Sequence, residues 1–435
     1  MLRTHYTKDI TPKTDKEKVI VGGWVRTIRE LGSLKFMLLA DMYGSCQITA
    51  KKGDVSEEIF SKITSFNKED VILVEGHVKE NKQAPLGAEI VPEKFTLLSK
   101  SDTPLPLDFK VKAGLDKRLD WRSLDLRKPE VNAIFRIESM IVQGLEEFLN
   151  KNGFVKTFTP CIMGTTSEGG AEVFPVVYFL KEAFLRQDPQ LHRQLVIAGG
   201  VDKLYDIGPS WRAEPSHTTR HLCEHRGCAV ELSFIKDEYD VMKVEEELIK
   251  HAFEKVKKDC ENELKILGKE IIVPKTPFPV IEFPNVYEIL SEMGKKVEYG
   301  EEPDREGEML LAQYIKEKFN HEFFFMNRFP TKVKPFYVMK SNEPEWARST
   351  DMIYRGTELS SGGQREHRHT QLMKQVKEKQ LSPESVRWFT DHFKYGVPPH
   401  GGFCIGIERI VMKLLELENV REAVLFPRTP ERLVP

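Results

Sequence analysis

Between residues 18 and 100 apolar and polar positions alternate in short runs. KVIVGGWVRTI, KFMLLADM, SCQITAKK, DVILVEGHVKE and GAEIVPEKFTLLSK are separated by Gly, Asp and Lys turns, the pattern of strands with one buried face. A stretch of helical period, VSEEIFSKITSF, falls between the third and the fourth. Beyond residue 131 the period changes. Ile134, Ile137, Ile141, Leu145 and Phe148 recur at helical spacing, with Gly153 placed to end the helix. FVKTFTP reads as a strand stopped by Pro160, VDKLYDIGPSWRAE and CAVELSFI as two antiparallel strands, and YDVMKVEEELIKHAFEKVKKDCENEL as a long amphipathic helix. FFFMNR, PFYVMK and DMIYRGTELSSG read as further strands, and GGFCIGIERIVMKLLEL as a glycine-rich strand running into a helix.

Five strands with a helix after the third is the order of an OB-fold barrel; another small barrel or sandwich is the alternative. The Pro-, Asp- and Lys-rich stretch 101–130 has no sustained period and reads as a linker. The remainder mixes helices and strands, so the expected fold class is α+β. The expected domains are a barrel over 1–103, a hinge over 104–130 and a larger domain over 131–435.

Composition narrows the classes. The 435 residues carry a formal charge of -2, from 65 basic and 67 acidic side chains. Any nucleic-acid binding must therefore come from local patches. Six scattered cysteines are too few for a disulfide framework and favour a reducing compartment. No apolar run approaches a membrane span, and the first residues resemble no targeting signal. The expected location is the cytoplasm, with no membrane partner.

Four stretches carry candidate chemistry. SWRAEPSHTTRHLCEHRGCAVELSF, residues 210–234, packs His, Cys, Arg and Glu at short intervals. It reads as a zinc site on ligand spacing, as an anion site through Arg212 with Glu214 as acceptor, or as a polar loop with a surface ion pair. In DMIYRGTELSSGGQR, residues 351–365, Asp351 and Glu358 are hard oxygen ligands suited to bridging Mg2+ and phosphates; the alternative is a bulge with solvated acids. GFCIGIERI, residues 402–410, lets a planar group approach the backbone, yet it is neither a dinucleotide fingerprint nor a Walker loop. SEGGAEVFP and RQDPQLHRQ are polar turns with no meaning alone.

Their order is the specific signal. EEFLNKNGFVKTFTP, then the 210–234 stretch with its RAE and RHL, then GGFCIGIERI resemble the three signature motifs of class II aminoacyl-tRNA synthetases over nearly the whole chain. The preceding OB-fold narrows the resemblance to the aspartyl, asparaginyl and lysyl group. SEGGAEVFPVVYF, DPQLHRQ, SSGGQR, FKYGVPPHGGF and LFPRTPERLVP are similar to the archaeal and eukaryotic aspartyl enzymes, with the asparaginyl ones second. The resemblance implies ATP-dependent formation of an aspartyl-adenylate and transfer to tRNA(Asp), with tRNA(Asn) a further candidate, by a homodimer using Mg2+. It implies that Arg212, Glu358 and Arg409 carry catalysis. ATP would be held by Arg212, Ala213, Glu214, Arg220, His221, Leu222, His225, Glu358, Gly406, Ile407, Glu408 and Arg409. Glu168, Gln190, Arg193, Arg212, Ser361 and Arg365 would surround the amino acid, with Arg365 reading a side-chain carboxylate. Asp351, Glu358 and Ser361 would hold the metal, and Phe36 and Gln47 the anticodon.

Several positions depart from the family pattern. His225 stands where a Phe usually stacks on adenine, and Ala229 where an acid usually holds the substrate ammonium. Asp188 and Arg193 replace Ser and Lys; Asp188 is a candidate for the missing acid. In the barrel Ala40 replaces a common Arg. Pro85 leans towards enzymes that charge both tRNAs, and Arg26 fits neither group. The competing expectations are an asparaginyl enzyme, a diverged paralogue that activates a related amino acid for another acceptor, and a tRNA-binding protein without catalysis.

Overall fold

A computed structural model describes residues 1–435 apart from 110, 165–172, 214, 216 and 217. The chain divides into two compact units, Met1–Asn132 and Ala133–Pro435.

In the first unit the alternating runs become β1 (Lys18–Leu31), β2 (Leu34–Asp41), β3 (Gly44–Lys51), β4 (Val71–Glu80) and β5 (Ala88–Ser99). They close into a barrel in the order β1-β2-β3-β5-β4, the OB arrangement that the period-two pattern predicts. Inward residues such as Val21, Met37, Ile48, Val74 and Ile90 form its core. Ser56 caps the helix Glu57–Lys62 by accepting from the Ile59 N–H. Closure is made by the parallel β3–β5 pair, which sets Gln47 opposite Glu89. The stretch read as a linker holds two short helices, Leu115–Asp120 and Arg122–Asp125, around a buried Arg122–Asp125 ion pair of 3.1 Å. Helices this short show no period in sequence.

The second unit contains β6 (Val155–Lys156), β7 (Ile162–Met163), β8 (Pro175–Tyr178), β9 (Lys181–Leu185), β10 (Lys203–Trp211), β11 (Glu224–Ser233), β12 (Val280–Glu282), β13 (Phe323–Asn327), β14 (Ser349–Tyr354), β15 (Thr357–Arg365) and β16 (His400–Gly406). Eight of them form one sheet, β12-β13-β14-β15-β16-β11-β10-β6, and β7, β9 and β8 form a small second one. The large sheet is antiparallel except at its two edge pairs.

One face of this sheet is apolar: Tyr205, Cys228, Val230, Phe403 and Ile405 pack into the core with Ile137, Ile141 and Leu145 of the helix Pro129–Lys151. That helix lies against Glu238–Asp259, where Gly144 approaches Ala252 so closely that a Cβ would sit 2.9 Å from its Cα.

Three expectations are corrected. The helix expected over 239–264 breaks at Cys260 into Glu238–Asp259 and Glu261–Leu267. FVKTFTP contributes only the two-residue β6. PFYVMK is not a ladder strand: Val338 and Lys340 make single bridges to Arg365 and Ala347, as its leading proline, which lacks a donor, allows. DMIYRGTELSSG is a hairpin, turning at Arg355 and Gly356 with φ of 47° and 68°.

Candidate active site

Strand alternation assigns the other face of the sheet. With Val230, Cys228, Phe403 and Ile405 in the core, the opposite face presents His225, Gly227, Ala229 and Glu231 from β11. His400, Gly402, Cys404 and Gly406 join them from β16, Ser361, Gly363 and Arg365 from β15, and Asp206, Gly208 and Ser210 from β10. The result is a floor thinned by Gly208, Gly227, Gly363, Gly402 and Gly406, with the side chains of Arg186, Cys404 and Glu231 reaching over three of these glycines. A side chain at Gly402 would run into the Val230 carbonyl oxygen and the Glu231 carboxylate. At Gly406 a Cβ would meet nothing nearer than Arg409 at 3.7 Å, so there a flat ligand can approach the backbone directly.

Anionic and cationic groups meet at one end. The hairpin brings Asp351 and Glu358, seven apart in sequence, to one face of neighbouring strands. Arg409, on the helix Ile407–Leu414, donates to the Glu358 carbonyl oxygen at 2.9 Å and lies 3.5 Å from its carboxylate. Arg220 reaches Glu308 at 3.6 Å. Burial first, then Glu358, raises the Glu308 carboxyl to about 7. Burial likewise raises Asp351 to about 7, with Lys334 opposing and Glu358 adding to the shift. Lys334 is paired with Glu302 at 2.8 Å and with Asp351 at 3.4 Å. The Asp351 Oδ1 is buried and makes no hydrogen bond, so an incoming cation finds an oxygen already stripped of water. Among the described residues no three His, Cys, Asp or Glu side chains converge to hold a metal alone. Magnesium, which keeps waters and phosphate oxygens, needs only one or two carboxylates, and Asp351 and Glu358 fit that demand.

Towards the centre, His225 is half-buried on the floor. Burial, then Arg212 and Arg409, lower its imidazole to about 4, so the ring is neutral at ordinary pH. The Arg212 N–H donates to the Cys223 carbonyl at 3.0 Å and prolongs the β10–β11 ladder, and its side chain is exposed. His221 Nδ1 lies 2.5 Å from the Thr218 hydroxyl, and Ala213 and Leu222 are half-buried on the same loop. Glu408 differs from its neighbour Arg409. Its carboxylate is buried and accepts from the Arg226 N–H at 2.9 and 3.1 Å, and Ile407 is buried. These two can offer a nucleotide only their backbone.

A buried polar cluster fills the other end. The Gln190 carbonyl oxygen accepts from Arg193 at 2.9 Å and from Arg365 at 3.2 Å, and its amide donates to Glu231 at 3.1 Å. Arg365 Nε donates to Glu231 at 3.1 Å, and its Nη2 to the Gly402 carbonyl at 3.0 Å. Arg193 pairs with Asp188 at 2.8 Å. Ser361 is exposed on β15 opposite Cys404. Glu168 and Glu214, expected at the amino acid and at ATP, lie outside the described residues.

Sequence reasoning missed Glu302, Glu308, Lys334 and the Arg186–Asp206 pair. Glu302 and Glu308 sit in the acidic run EEPDREGE, a signal that reads equally as a solvated surface. For the zinc reading, Cys228 points into the core while His225 points to the floor, so the two cannot share an ion.

On the barrel, Phe36 is half-buried between the buried Lys35 and Met37 and faces outward. With Gln47, Arg29, Lys51, Asn81 and Pro85 it lines a cleft of about 560 Å³. Gln47 Nε2 donates to Glu89 at 2.9 Å, which leaves its carbonyl oxygen unused by that carboxylate. Arg26 is paired with Glu69 and donates to the Arg127 carbonyl at 2.7 Å, and it is not among the groups lining the cleft.

A glycine floor flanked by paired acids and arginines, carried on an antiparallel sheet and joined in one chain to an OB barrel, defines a class II synthetase. Residues 114–430 match the family of class II tRNA synthetases (D, K and N), and residues 19–98 match the OB-fold nucleic acid binding domain. The chain belongs to the class II tRNA synthetases. It is 49% identical to an aspartate–tRNA(Asp) ligase of Pyrococcus furiosus, over 100% of both chains. It is 46% identical to an aspartate–tRNA(Asp/Asn) ligase of Methanopyrus kandleri, again over 100% of both. The asparaginyl-tRNA synthetase of Pyrococcus horikoshii complexed with asparaginyl-adenylate superposes with a TM-score of 0.94 at 32% identity, covering 100% of each chain.

Proposed function

We propose that the protein is an aspartate–tRNA ligase. A carboxylate oxygen of aspartate attacks the α-phosphorus of ATP, the bond to the leaving pyrophosphate breaks, and aspartyl-adenylate forms. The terminal ribose hydroxyl of tRNA(Asp) then attacks the aspartyl carbonyl and AMP leaves. ATP lies along the glycine floor, with the neutral His225 ring against adenine and Arg212, Arg220 and Arg409 at the phosphates. Catalysis is then mainly positioning and charge neutralisation. Mg2+ held by Asp351 and Glu358, with Ser361 beside them, would neutralise phosphate charge. Arg212 spans the substrate carboxylate and the α-phosphate.

The observation that carries the amino-acid reading is the buried Gln190–Arg365–Glu231 cluster with its Arg193–Asp188 neighbour. Arg193 and Arg365 would offer guanidiniums to a side-chain carboxylate, and guanidiniums offer no acceptor to the amide NH2 of asparagine. In the barrel cleft Phe36 is the stacking platform and Gln47 the hydrogen-bonding group for anticodon bases. Pro85 in that cleft favours acceptance of tRNA(Asn) as well as tRNA(Asp).

The units 1–103, 104–130 and 131–435 are the proposed barrel, hinge and catalytic domain. The proposed assembly is a cytoplasmic homodimer. Exposed Val155, Phe158 and Ile162, beside the open edge strand β6, are the apolar surface it would cover. No helix among the described residues is long and apolar enough to cross a membrane.

A second reading, a paralogue that activates a related amino acid, is favoured by Asp188 and Ala229, where the pocket departs from the family pattern. ATP–pyrophosphate exchange with each of the twenty amino acids, followed by charging of tRNA(Asp) and tRNA(Asn), tests both. Aspartate-dependent exchange with tRNA(Asp) charging is expected; exchange with another amino acid alone selects the paralogue.

A further inference from the structure

Any amino acid entering this site carries an α-ammonium, and a cation that loses water needs an anionic or strongly accepting neighbour. On the amino-acid side of the floor the described residues offer three carboxylates. Glu231 has a fully buried side chain whose two oxygens are taken by Arg365 and Gln190. Asp206 is sealed against Arg186 and Thr159. Both oxygens of Asp188 lie at Arg193 Nη2, 2.8 and 2.9 Å away, but its side chain is 23% exposed while that of Arg193 is 1% exposed.

Its position is fixed from behind. Arg193 donates both to Asp188 and to the Gln190 carbonyl, and Gln190 is tied to Arg365 and Glu231. The negative charge of Asp188 acts both on His225 and on Cys404, two residues of the floor. The floor itself supplies no acid there, because Ala229 is the residue opposite Cys404.

We propose that Asp188 binds the α-ammonium of the amino-acid substrate, with Arg193 as the residue that positions it. The inference rests on the amino-acid-activating reading above, but not on which amino acid is activated. Its alternative is that Asp188 only neutralises the buried Arg193.

Succinate, which is aspartate without the ammonium, separates the two. Inhibition constants for succinate and KM values for aspartate are measured by pyrophosphate exchange in wild type, Asp188→Asn and Asp188→Asn with Ala229→Asp. Wild type should prefer aspartate over succinate at least tenfold. Asp188→Asn should lose most of that preference with the KM for ATP unchanged, and the added Ala229→Asp, which returns a carboxylate to the floor, should restore part of it. Asp188→Glu keeps a charge for Arg193 and serves if the asparagine variant does not fold; displacing the carboxylate by one methylene should also reduce the preference. An unchanged aspartate-to-succinate ratio in the soluble variants overturns the proposal, as does a wild type that binds succinate as tightly as aspartate. If wild type activates a different amino acid, that acid and its deamino analogue replace the pair. If it activates none, the functional reading fails rather than this one.

Discussion

Arg409 shows how one side chain can serve two anions. Bound to the Glu358 backbone and near its carboxylate, it is held ready for phosphate at no further ordering cost. Arg409→Ala should abolish pyrophosphate exchange while the fold and circular dichroism remain; wild-type-like exchange would remove Arg409 from the nucleotide site. Arg365 is bound more deeply. Truncating one partner of a buried ion pair costs about 3–5 kcal/mol, so Arg365→Ala should lower aspartate activation at least a hundredfold and reduce thermal stability, both measurable on one preparation. Glu245 makes a pH prediction. It is fully buried under β15 and bonded to the Ser360 hydroxyl, and burial raises its carboxyl to about 8. The folded state therefore holds a proton that the unfolded state, with an ordinary carboxyl near 4.5, has released. That stability is fully present below the unfolded value and is lost as pH rises through about 8, by up to about 1.4 kcal/mol per pH unit. Glu245→Gln should remove this dependence, so the Tm gap between variant and wild type should widen from pH 5 to 8; a constant gap contradicts the assignment. At this scale the sequence made single residues legible, because Arg, Asp and Glu beside glycine stretches have few uses. It could not show that Arg193 turns to Asp188 or that Arg26 turns to Glu69, since each partner is chosen by the fold.

Elements were legible where the period was long. The barrel strands, the helix Pro129–Lys151 and the strands β10, β11 and β16 all follow from alternation or helical spacing. The helix Arg305–Phe319 was missed because its polar residues, REGEMLLAQYIKEKF, interrupt the apolar stripe; only Gly307, Leu311 and Ile315 are buried. The single bridges of PFYVMK and the two-residue β6 lie below the length at which alternation is informative. The outward position of Phe36 on β2 carries a prediction of its own. Phe36→Ala should weaken tRNA binding by about 1–3 kcal/mol through lost stacking, read by filter binding, and leave tRNA-independent exchange unchanged. Equal losses in both assays would mark Phe36 as a structural residue.

For the whole molecule, the apolar surface at Val155, Phe158 and Ile162 should be covered by a second copy. Phe158→Asp should shift the protein towards monomer in sedimentation velocity, with exchange activity falling as dimer is lost; an unchanged mass would place the interface elsewhere. The two guanidiniums of Arg193 and Arg365 make the broader claim that this synthetase is built for a dicarboxylic amino acid. The most direct test is aspartate-dependent pyrophosphate exchange by the unmodified protein, with asparagine as competitor. The account predicts exchange with aspartate, at least tenfold weaker response to asparagine, and charging of tRNA(Asp) by the same preparation. Exchange that asparagine supports as well as or better than aspartate would contradict it.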